Sequence, residues 1–321
     1  MPRSSHILVG RRSPSPHQGP TPATSPRSAR RGSVWNSLTE AIMVGPAILL
    51  VVAFVIVPIG IAVGLSLTNW DGFSPDPDFV GLANYLRIFR DPGVAKAAAF
   101  TVTLAVIGTI GTNVLGLGTA LLLSRATLIN AIMRGAVFYP YVVGAIIVGF
   151  IWSAILGSNG AINTVLRESG LDTIPFLSSA SFAQASTIAV IIWSSFGMCV
   201  VLYLAGLGTI PESLLEAAKL DGLNGWQTLR LVKIPLLAPV VTVNVVLVLI
   251  NLLRSYETVL ALTYGGPAGA TQTLVFSVLN VSFASSQLGF GSAQAVLLMI
   301  CIALVTVALI AARRRAEKDV T

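Results

Sequence analysis

Six long apolar runs dominate the sequence and restrict what the chain can fold into. A helix needs about 20 mostly apolar residues to cross the hydrocarbon core of a bilayer. The runs do not show the alternating pattern of membrane β-strands. We therefore predict an all-α, polytopic membrane protein with six transmembrane helices. The predicted spans are residues 41–67, 98–123, 135–156, 182–207, 236–253 and 289–312.

The composition excludes several classes of protein. Of the 321 residues, 54% are hydrophobic and only 10% are Asp, Glu, Lys or Arg, whereas a soluble domain carries about 25% charged residues. A soluble enzyme, a nucleic-acid-binding protein and a disordered chain are thus disfavoured. The two cysteines, Cys199 and Cys301, lie in apolar runs without metal-ligand spacing, so we expect neither a disulfide framework nor a metal site.

Residues 1–36 differ from the rest of the chain. We predict that residues 37–321 form one transmembrane domain. The N-terminal stretch is rich in Pro, Ser and Arg and lacks apolar periodicity, which predicts a disordered basic tail. Its arginines could contact anionic lipid headgroups, although a solvated tail is the preferred interpretation.

The distribution of Lys and Arg predicts the orientation in the membrane. The N-terminal tail, the second and fourth loops and the C-terminal tail together carry fifteen of these residues, whereas the other three loops carry five. Because basic residues concentrate in cytoplasmic segments, we expect both termini to lie in the cytoplasm.

Small residues mark a packing surface on the second span. Gly108, Thr112, Gly116 and Ala120 recur every four residues and therefore share one helix face. Such a stripe is typical of a seam between two membrane helices.

Polar residues deep in the spans leave two interpretations open. In the fifth span, Asn244, Asn251, Ser255 and Thr258 share a helix face. Polar side chains at this depth either hydrogen-bond to a neighbouring helix or line a wet cavity. Periodicity alone does not decide between these.

The loop between the fourth and fifth spans contains two short helix signals. Ser213 and Glu216 have the spacing of a capping box, and Gly222 is a typical terminator of the first helix. Asn224 can cap the second helix, which we expect to end before Pro235.

This loop, residues 208–235, resembles the EAA loop of binding-protein-dependent ABC importer permeases. Val232 and Ile234 stand where that pattern has Ile and Leu. Residues 79–85, 160–163, 262–267 and 288–293 are similar to the carbohydrate-uptake branch of the family, the maltose and glycerol-phosphate type. The loop positions that match in register are Glu216, Ala217, Ala218, Asp221, Gly222 and Pro235.

The resemblance implies a type I importer permease that forms half of a translocation path for a sugar or sugar derivative and is not an enzyme. A second homologous permease subunit would form the other half, and an external solute-binding protein would deliver the substrate. The chain lacks the phosphate-binding motif of an ATPase. The resemblance implies that ATP and Mg²⁺ bind to a separate cytoplasmic ABC ATPase dimer and that this chain holds no cofactor. The six matched loop positions would couple the chain to this ATPase.

Amide, hydroxyl and aromatic groups suit the binding of sugars, which suggests residues for the translocation path. We hypothesise that the path is lined by Trp193, Ser194, Ser195, Asn251, Ser255 and Glu257.

Three alternatives differ in substrate or mechanism. An ABC permease for peptides, amino acids or phosphate would share the loop but not the carbohydrate-type matches. An ion-coupled secondary transporter needs ionisable residues at mid-membrane, and beyond Arg254 and Glu257 the spans hold almost none. A membrane enzyme needs a catalytic constellation, yet the two histidines, His6 and His17, lie in the tail.

Overall fold

A computed structural model describes the backbone of residues 43–318 and the side chains of residues 43–311. The basic tail predicted at 1–36 lies outside the described residues. The contacts divide the chain into two units, Met1–Val57 and Pro58–Thr321. The first unit contributes the N-terminal part of one helix, and the second contains all the other elements.

The described chain is helical, and six of its helical segments are long and apolar enough to cross a membrane. The sole extended pairing within residues 43–318 is an isolated antiparallel bridge between Thr68 and Phe79. The predicted all-α class with six spans is thus confirmed. In chain order the helices are α1 Met43–Ser66, α2 Ala83–Ile88, α3 Pro92–Leu122, α4 Leu128–Val143, α5 Ala145–Leu156, α6 Ala161–Glu168, α7 Ala180–Gly208, α8 Glu212–Leu220, α9 Gly225–Thr228, α10 Ile234–Leu253, α11 Glu257–Leu262, α12 Leu274–Leu279 and α13 Leu288–Lys318.

The third predicted span, 135–156, is wrong as a single helix. The chain forms α4 and α5 instead, with a break at Gly144, whose φ of 92° lies in the left-handed region that favours glycine. Pro140 lies inside α4, where it removes a backbone hydrogen bond. The third span-length apolar segment is therefore Ala145–Glu168, which comprises α5, a turn and α6.

Helices α3, α7 and α10 form the centre of the second unit, where α3 packs against both of the others. The small-residue stripe on α3 is buried. A Cβ added to Gly108 would lie 2.7 Å from Leu252 Cδ1, and one added to Gly116 would lie 2.5 Å from Cys199 Cβ. The predicted seam is confirmed, since these glycines let α3 approach α10 and α7 closely.

Two of the loops between the spans are held by hydrogen bonds between side chains and the backbone. Asn163, which is 1% exposed, donates to Gly157 O and Ile174 O at 3.1 and 3.0 Å and accepts from Ile174 N at 2.8 Å. In the loop between α1 and α2, the backbone N–H groups of Ser74 and Phe73 donate to the Asp71 carboxylate and lower its pKa below the ordinary value.

Candidate functional site

A cavity of about 630 Å³ opens between α4, α7, α10 and α11. Ser194 and Ser195 reach it from α7, and Asn251 reaches it from α10. Ser255 and Glu257 line it from the segment that joins α10 to α11. The structure therefore brings five of the six predicted path residues together around one space.

An interruption of the helix beyond α10 builds one wall of this cavity. Helix α10 ends where the backbone N–H of Arg254 is shared between Ile250 O and Asn251 O, both at 3.2 Å, and α11 begins at Glu257. Thr273 Oγ1 donates to Ser255 O at 2.8 Å and fixes the connecting segment. Irregular backbone is tolerated at membrane depth where it lines a cavity, as it does here.

Trp193 is the one predicted path residue that the structure places outside the cavity lining. Its ring lies edge-on against Trp152, with centroids 5.4 Å apart and planes at 79°. Successive residues on an α-helix point about 100° apart. Trp193 therefore faces α5 while Ser194 and Ser195, the next residues on α7, face the cavity.

The cavity also contains residues that the predicted path omitted. Tyr141 of α4 and Tyr256, next to Ser255, supply aromatic groups, and Arg254 supplies a positive charge. Sequence offered a signal for each tyrosine: Tyr141 belongs to a Tyr-Pro-Tyr sequence, and Tyr256 lies between two predicted path residues. Neither signal shows which way the ring points.

The predicted polar face of the fifth span lies along this cavity. Asn244, Asn251, Ser255 and Thr258 all line it. Asn244 is fully buried, and its Oδ1 and Nδ2 atoms have no hydrogen-bond partner within the chain. A buried amide without partners is costly. The residues of this face that support the cavity interpretation are Asn251, which is exposed, and Ser255, which is half-buried. Asn244 lies beside Tyr203 of α7 and does not decide between the two interpretations.

Potential metal ligands do not cluster in the described part of the chain. Within the ranges described above, no three His, Cys, Asp or Glu side chains lie close enough together to hold a metal ion. The functional groups of the cavity are therefore hydrogen-bond donors and acceptors, two aromatic rings and one charge of each sign.

The first helix of the loop between α7 and α10 starts differently from the prediction. Pro211 is the N-cap residue and no side chain caps the helix, so the capping box predicted for Ser213 and Glu216 is wrong. Since α8 begins at Glu212, Ser213 already lies inside its first turn and cannot act as the cap.

The predicted terminator of α8 is confirmed. Gly222 has a φ of 77°, its N–H bonds to Lys219 O at 3.1 Å, and the N–H of Leu223 bonds to Ala218 O at 3.0 Å. This is the Schellman arrangement, in which a left-handed glycine satisfies the last carbonyls of a helix. Asp221 and Gly222 thus form the turn between the two loop helices.

The second loop helix does not end before Pro235. Asn224 and Gln227 form a capping box at its start, confirming the predicted cap, and the helix then continues without interruption from Gly225 to Leu253. Residues Leu229–Lys233 form a π-turn. This wider turn gives room for the Pro235 ring beside the carbonyl four residues earlier. The helix also continues through Pro239, so neither proline ends it.

The loop exposes both polar and apolar groups. Glu216, Ala217, Asp221, Gly222 and Pro235 are exposed, whereas Ala218 is buried. Large apolar side chains are exposed beside them. A loop that only connects two helices in water would not need this apolar surface. Their exposed fractions are 44% for Leu214, 89% for Leu220, 69% for Trp226 and 62% for Leu231.

A bundle of membrane-spanning helices with a polar cavity, joined to an exposed two-helix loop, defines a multi-pass membrane permease. The chain belongs to the family described as the binding-protein-dependent transport system inner membrane component, whose model matches residues 112–316. This assignment confirms the family that the loop resembles.

Similar proteins are transport permeases rather than enzymes. The chain is 30% identical over 273 residues to the probable starch degradation products transport system permease protein AmyD of Thermoanaerobacterium thermosulfurigenes, covering 85% of this chain and 92% of AmyD. It is 33% identical over 287 residues to the diacetylchitobiose uptake system permease protein NgcF of Streptomyces coelicolor, covering 85% of this chain and 81% of NgcF.

Solved structures share the fold. A chain of a bacterial alginate ABC transporter, crystallised with an alginate pentasaccharide-bound periplasmic protein, matches with a TM-score of 0.77 at 19% identity, covering 89% of this chain and 97% of that one. A second structure of a bacterial ABC transporter that imports alginate matches with a TM-score of 0.76 at 20% identity, covering 88% and 99%.

Proposed function

We propose that this permease forms half of the translocation path for a sugar or sugar derivative, in an ATP-driven importer of the bacterial or archaeal plasma membrane. Relatives named for starch degradation products, diacetylchitobiose and sn-glycerol-3-phosphate support this substrate class. The cavity supports it too, because hydroxyl, amide and aromatic groups recognise the hydroxyls and apolar faces of sugars.

The observation that carries the proposal is the connection between the cavity and the loop. Helix α7, which bears Ser194 and Ser195, ends where the loop begins, and the helix that starts at Gly225 bears Asn251 near its other end. Twenty-nine residues of helix span about 43 Å. A displacement of α8 therefore moves two walls of the cavity at once, which alternating access requires.

We further propose that ATP and Mg²⁺ bind to a cytoplasmic ABC ATPase dimer, which docks on α8. Glu216 and Ala217 would contact it directly, and Ala218, Asp221, Gly222 and Pro235 would hold the shape of the loop. The exposed leucines and Trp226 offer apolar surface for such a partner. The excess of Lys and Arg on the loop side supports a cytoplasmic position for this surface and for both termini.

A second permease subunit and an external solute-binding protein complete the proposed importer. The binding protein would release its sugar above the cavity, and the second subunit would close the side of the path that this chain leaves open. Docking of the binding protein and ATP would stabilise different arrangements of the spans, which is how their free energies are coupled to transport.

The path can be tested by uptake measurements in cells that produce the complete importer. Asn251→Ala and Ser255→Ala remove polar groups from the cavity and should lower the uptake of the sugar that the binding protein retains. Thr242→Val is the matched control, since its hydroxyl lies on α10 outside the cavity and bonds to Ala238 O. Unchanged uptake in both cavity variants would overturn the assigned path.

The substrate class is tested by equilibrium binding to the solute-binding protein. The panel consists of monosaccharides, oligosaccharides, glycerol phosphate, amino acids, peptides and phosphate. Retention of a sugar or glycerol phosphate is expected. Retention of only amino acids, peptides or phosphate would support the alternative permease class.

The coupling role is tested by charge reversal on α8. Glu216→Lys should abolish uptake and prevent the ATPase from co-purifying, while the spans stay folded. Glu168→Lys makes the same change at an exposed position at the end of α6 and should leave both unchanged. Normal uptake by Glu216→Lys would contradict the assigned role.

A further inference from the structure

The first outer loop contains a short helix, α2, with two different sides. Asn84 and Ile88 are buried, at 8% and 6% exposed. On the opposite side, Leu82, Leu86 and Phe89 follow one another at spacings of four and three residues, and so share a helix face. They are 66%, 60% and 79% exposed. We call these three side chains the outer apolar face.

Contacts on its buried side fix α2 in place. The Asn84 side-chain amide donates to Ser66 O at 2.9 Å and to Thr68 O at 2.8 Å. The Arg87 guanidinium lies 3.9 Å above the ring of Phe290, near the start of α13. Ile88 belongs to the same small core as Phe290. These contacts hold the outer apolar face in one orientation.

The contact with α13 sets the level of α2 relative to a bilayer. The apolar part of α13, Leu288–Ala311, has 24 residues and is about 36 Å long, whereas the hydrocarbon core is about 30 Å thick. Phe290, at one end of this span, therefore lies close to the boundary between the core and the headgroups. Because Arg87 covers Phe290, α2 lies at the same level.

We propose that α2 lies in the outer lipid–water interface, with the outer apolar face inserted among the acyl chains of the bilayer. A helix with large apolar groups on one side and basic groups beside them is the pattern of interfacial helices. Arg87 and Arg90 are exposed on this segment, and their charges complement lipid phosphates.

The charge and the level of α2 favour lipid over a protein partner. Arg87 and Arg90 directly follow Leu86 and Phe89 in sequence and are exposed, which sets a basic group beside each of these apolar side chains within reach of lipid phosphates. The function of this surface is then to anchor the loop between α1 and α3 at a fixed depth. This inference is independent of the substrate and of the proposed path.

Spin labels on the assembled importer in lipid vesicles test this placement. The labels are attached to Leu86→Cys and Phe89→Cys after both natural cysteines are replaced by alanine. Collision rates with oxygen, which concentrates in lipid, are compared with those of a nickel complex, which stays in water. Asp76→Cys, in the exposed part of the same loop, is the matched control.

The proposal predicts an oxygen-to-nickel ratio that is severalfold higher at Leu86 and Phe89 than at Asp76. Low collision rates with both reagents would show that a second permease or the binding protein covers the face, and would overturn the proposal. A ratio equal to that of Asp76 would show exposure to water and would overturn it as well. If the cysteine-free background does not assemble, quenching of Leu86→Trp by brominated lipids supplies the same distinction, with Asp76→Trp as control.

Discussion

The crossing of α4 and α7 beside the cavity should depend on the absence of a side chain at Gly197. A Cβ added there would lie 2.3 Å from Val137 O and 3.0 Å from Phe138 Cα. An ordinary contact is 3.4 Å or more, so Gly197→Ala would have to separate the helices by about 1 Å. Both atoms belong to the backbone of α4, and no side chain can rotate away.

The cost of Gly197→Ala follows from this geometry. Overpacking costs about 1–3 kcal/mol, and a contact with rigid backbone belongs to the upper part of this range, which exceeds the gain of up to about 1 kcal/mol from alanine's higher helix propensity. We expect the temperature of unfolding of the purified complex to fall by roughly 2–6 °C. Uptake should fall as well, because α4 carries Pro140 and Tyr141 into the cavity.

Two other glycines provide graded controls for Gly197→Ala. A Cβ on Gly118 meets no atom within 4 Å, whereas one on Gly108 lies 2.7 Å from Leu252 Cδ1, a side-chain methyl that can move. We expect Gly118→Ala to be the most stable of the three variants, Gly108→Ala to be intermediate and Gly197→Ala to be the least stable. Tryptophan fluorescence during heating measures their unfolding temperatures. Equal unfolding temperatures for Gly118→Ala and Gly197→Ala would refute the steric reasoning.

Three further predictions concern side chains that bond to the backbone. Asn163→Ala leaves buried backbone groups without partners and should cost about 1–3 kcal/mol, measured by thermal unfolding and by proteolysis of residues 157–174. Arg134→Lys loses a guanidinium that bonds to Leu123 O at 3.1 and 2.6 Å and to Arg125 O at 3.1 Å, and should cost about 1 kcal/mol in the same unfolding measurement. Asn224→Ala removes the capping box and should cost about 1 kcal/mol, detected as faster amide exchange at residues 225–228. Unchanged proteolysis of Asn163→Ala would contradict the first prediction. An Arg134→Lys variant as stable as Arg125→Lys would contradict the second, and unchanged amide exchange in Asn224→Ala would contradict the third.

The spans and the α3 seam were predictable because their signals are local. A run of apolar residues predicts a span by itself, and a small residue at every fourth position marks a helix face. The break at Gly144 depends instead on a positive φ that glycine permits but does not require. The passage of the helix through Pro235 is accompanied by the π-turn at Leu229–Lys233, for which the sequence carries no comparable pattern.

The cavity was predictable in part, for a similar reason. The spacing of Asn251 and Ser255 determines that they share a face of one helix, wherever that face points. For α7, however, the rotation of the helix about its axis decides whether Trp193 or Ser194 faces inward. Packing against Trp152 sets that rotation, and a contact between distant parts of the chain is not visible in either part alone.

The π-turn before α10 links two features of the sequence that would otherwise look independent. A π-turn holds one more residue than the α-turn it replaces, so deleting one residue from Leu229–Lys233 would convert it to ordinary α-helix and leave the direction of α8 almost unchanged. The same deletion would restore the collision between the Pro235 ring and the preceding carbonyl. We therefore expect a one-residue deletion in this segment to be tolerated better when Pro235 is replaced at the same time.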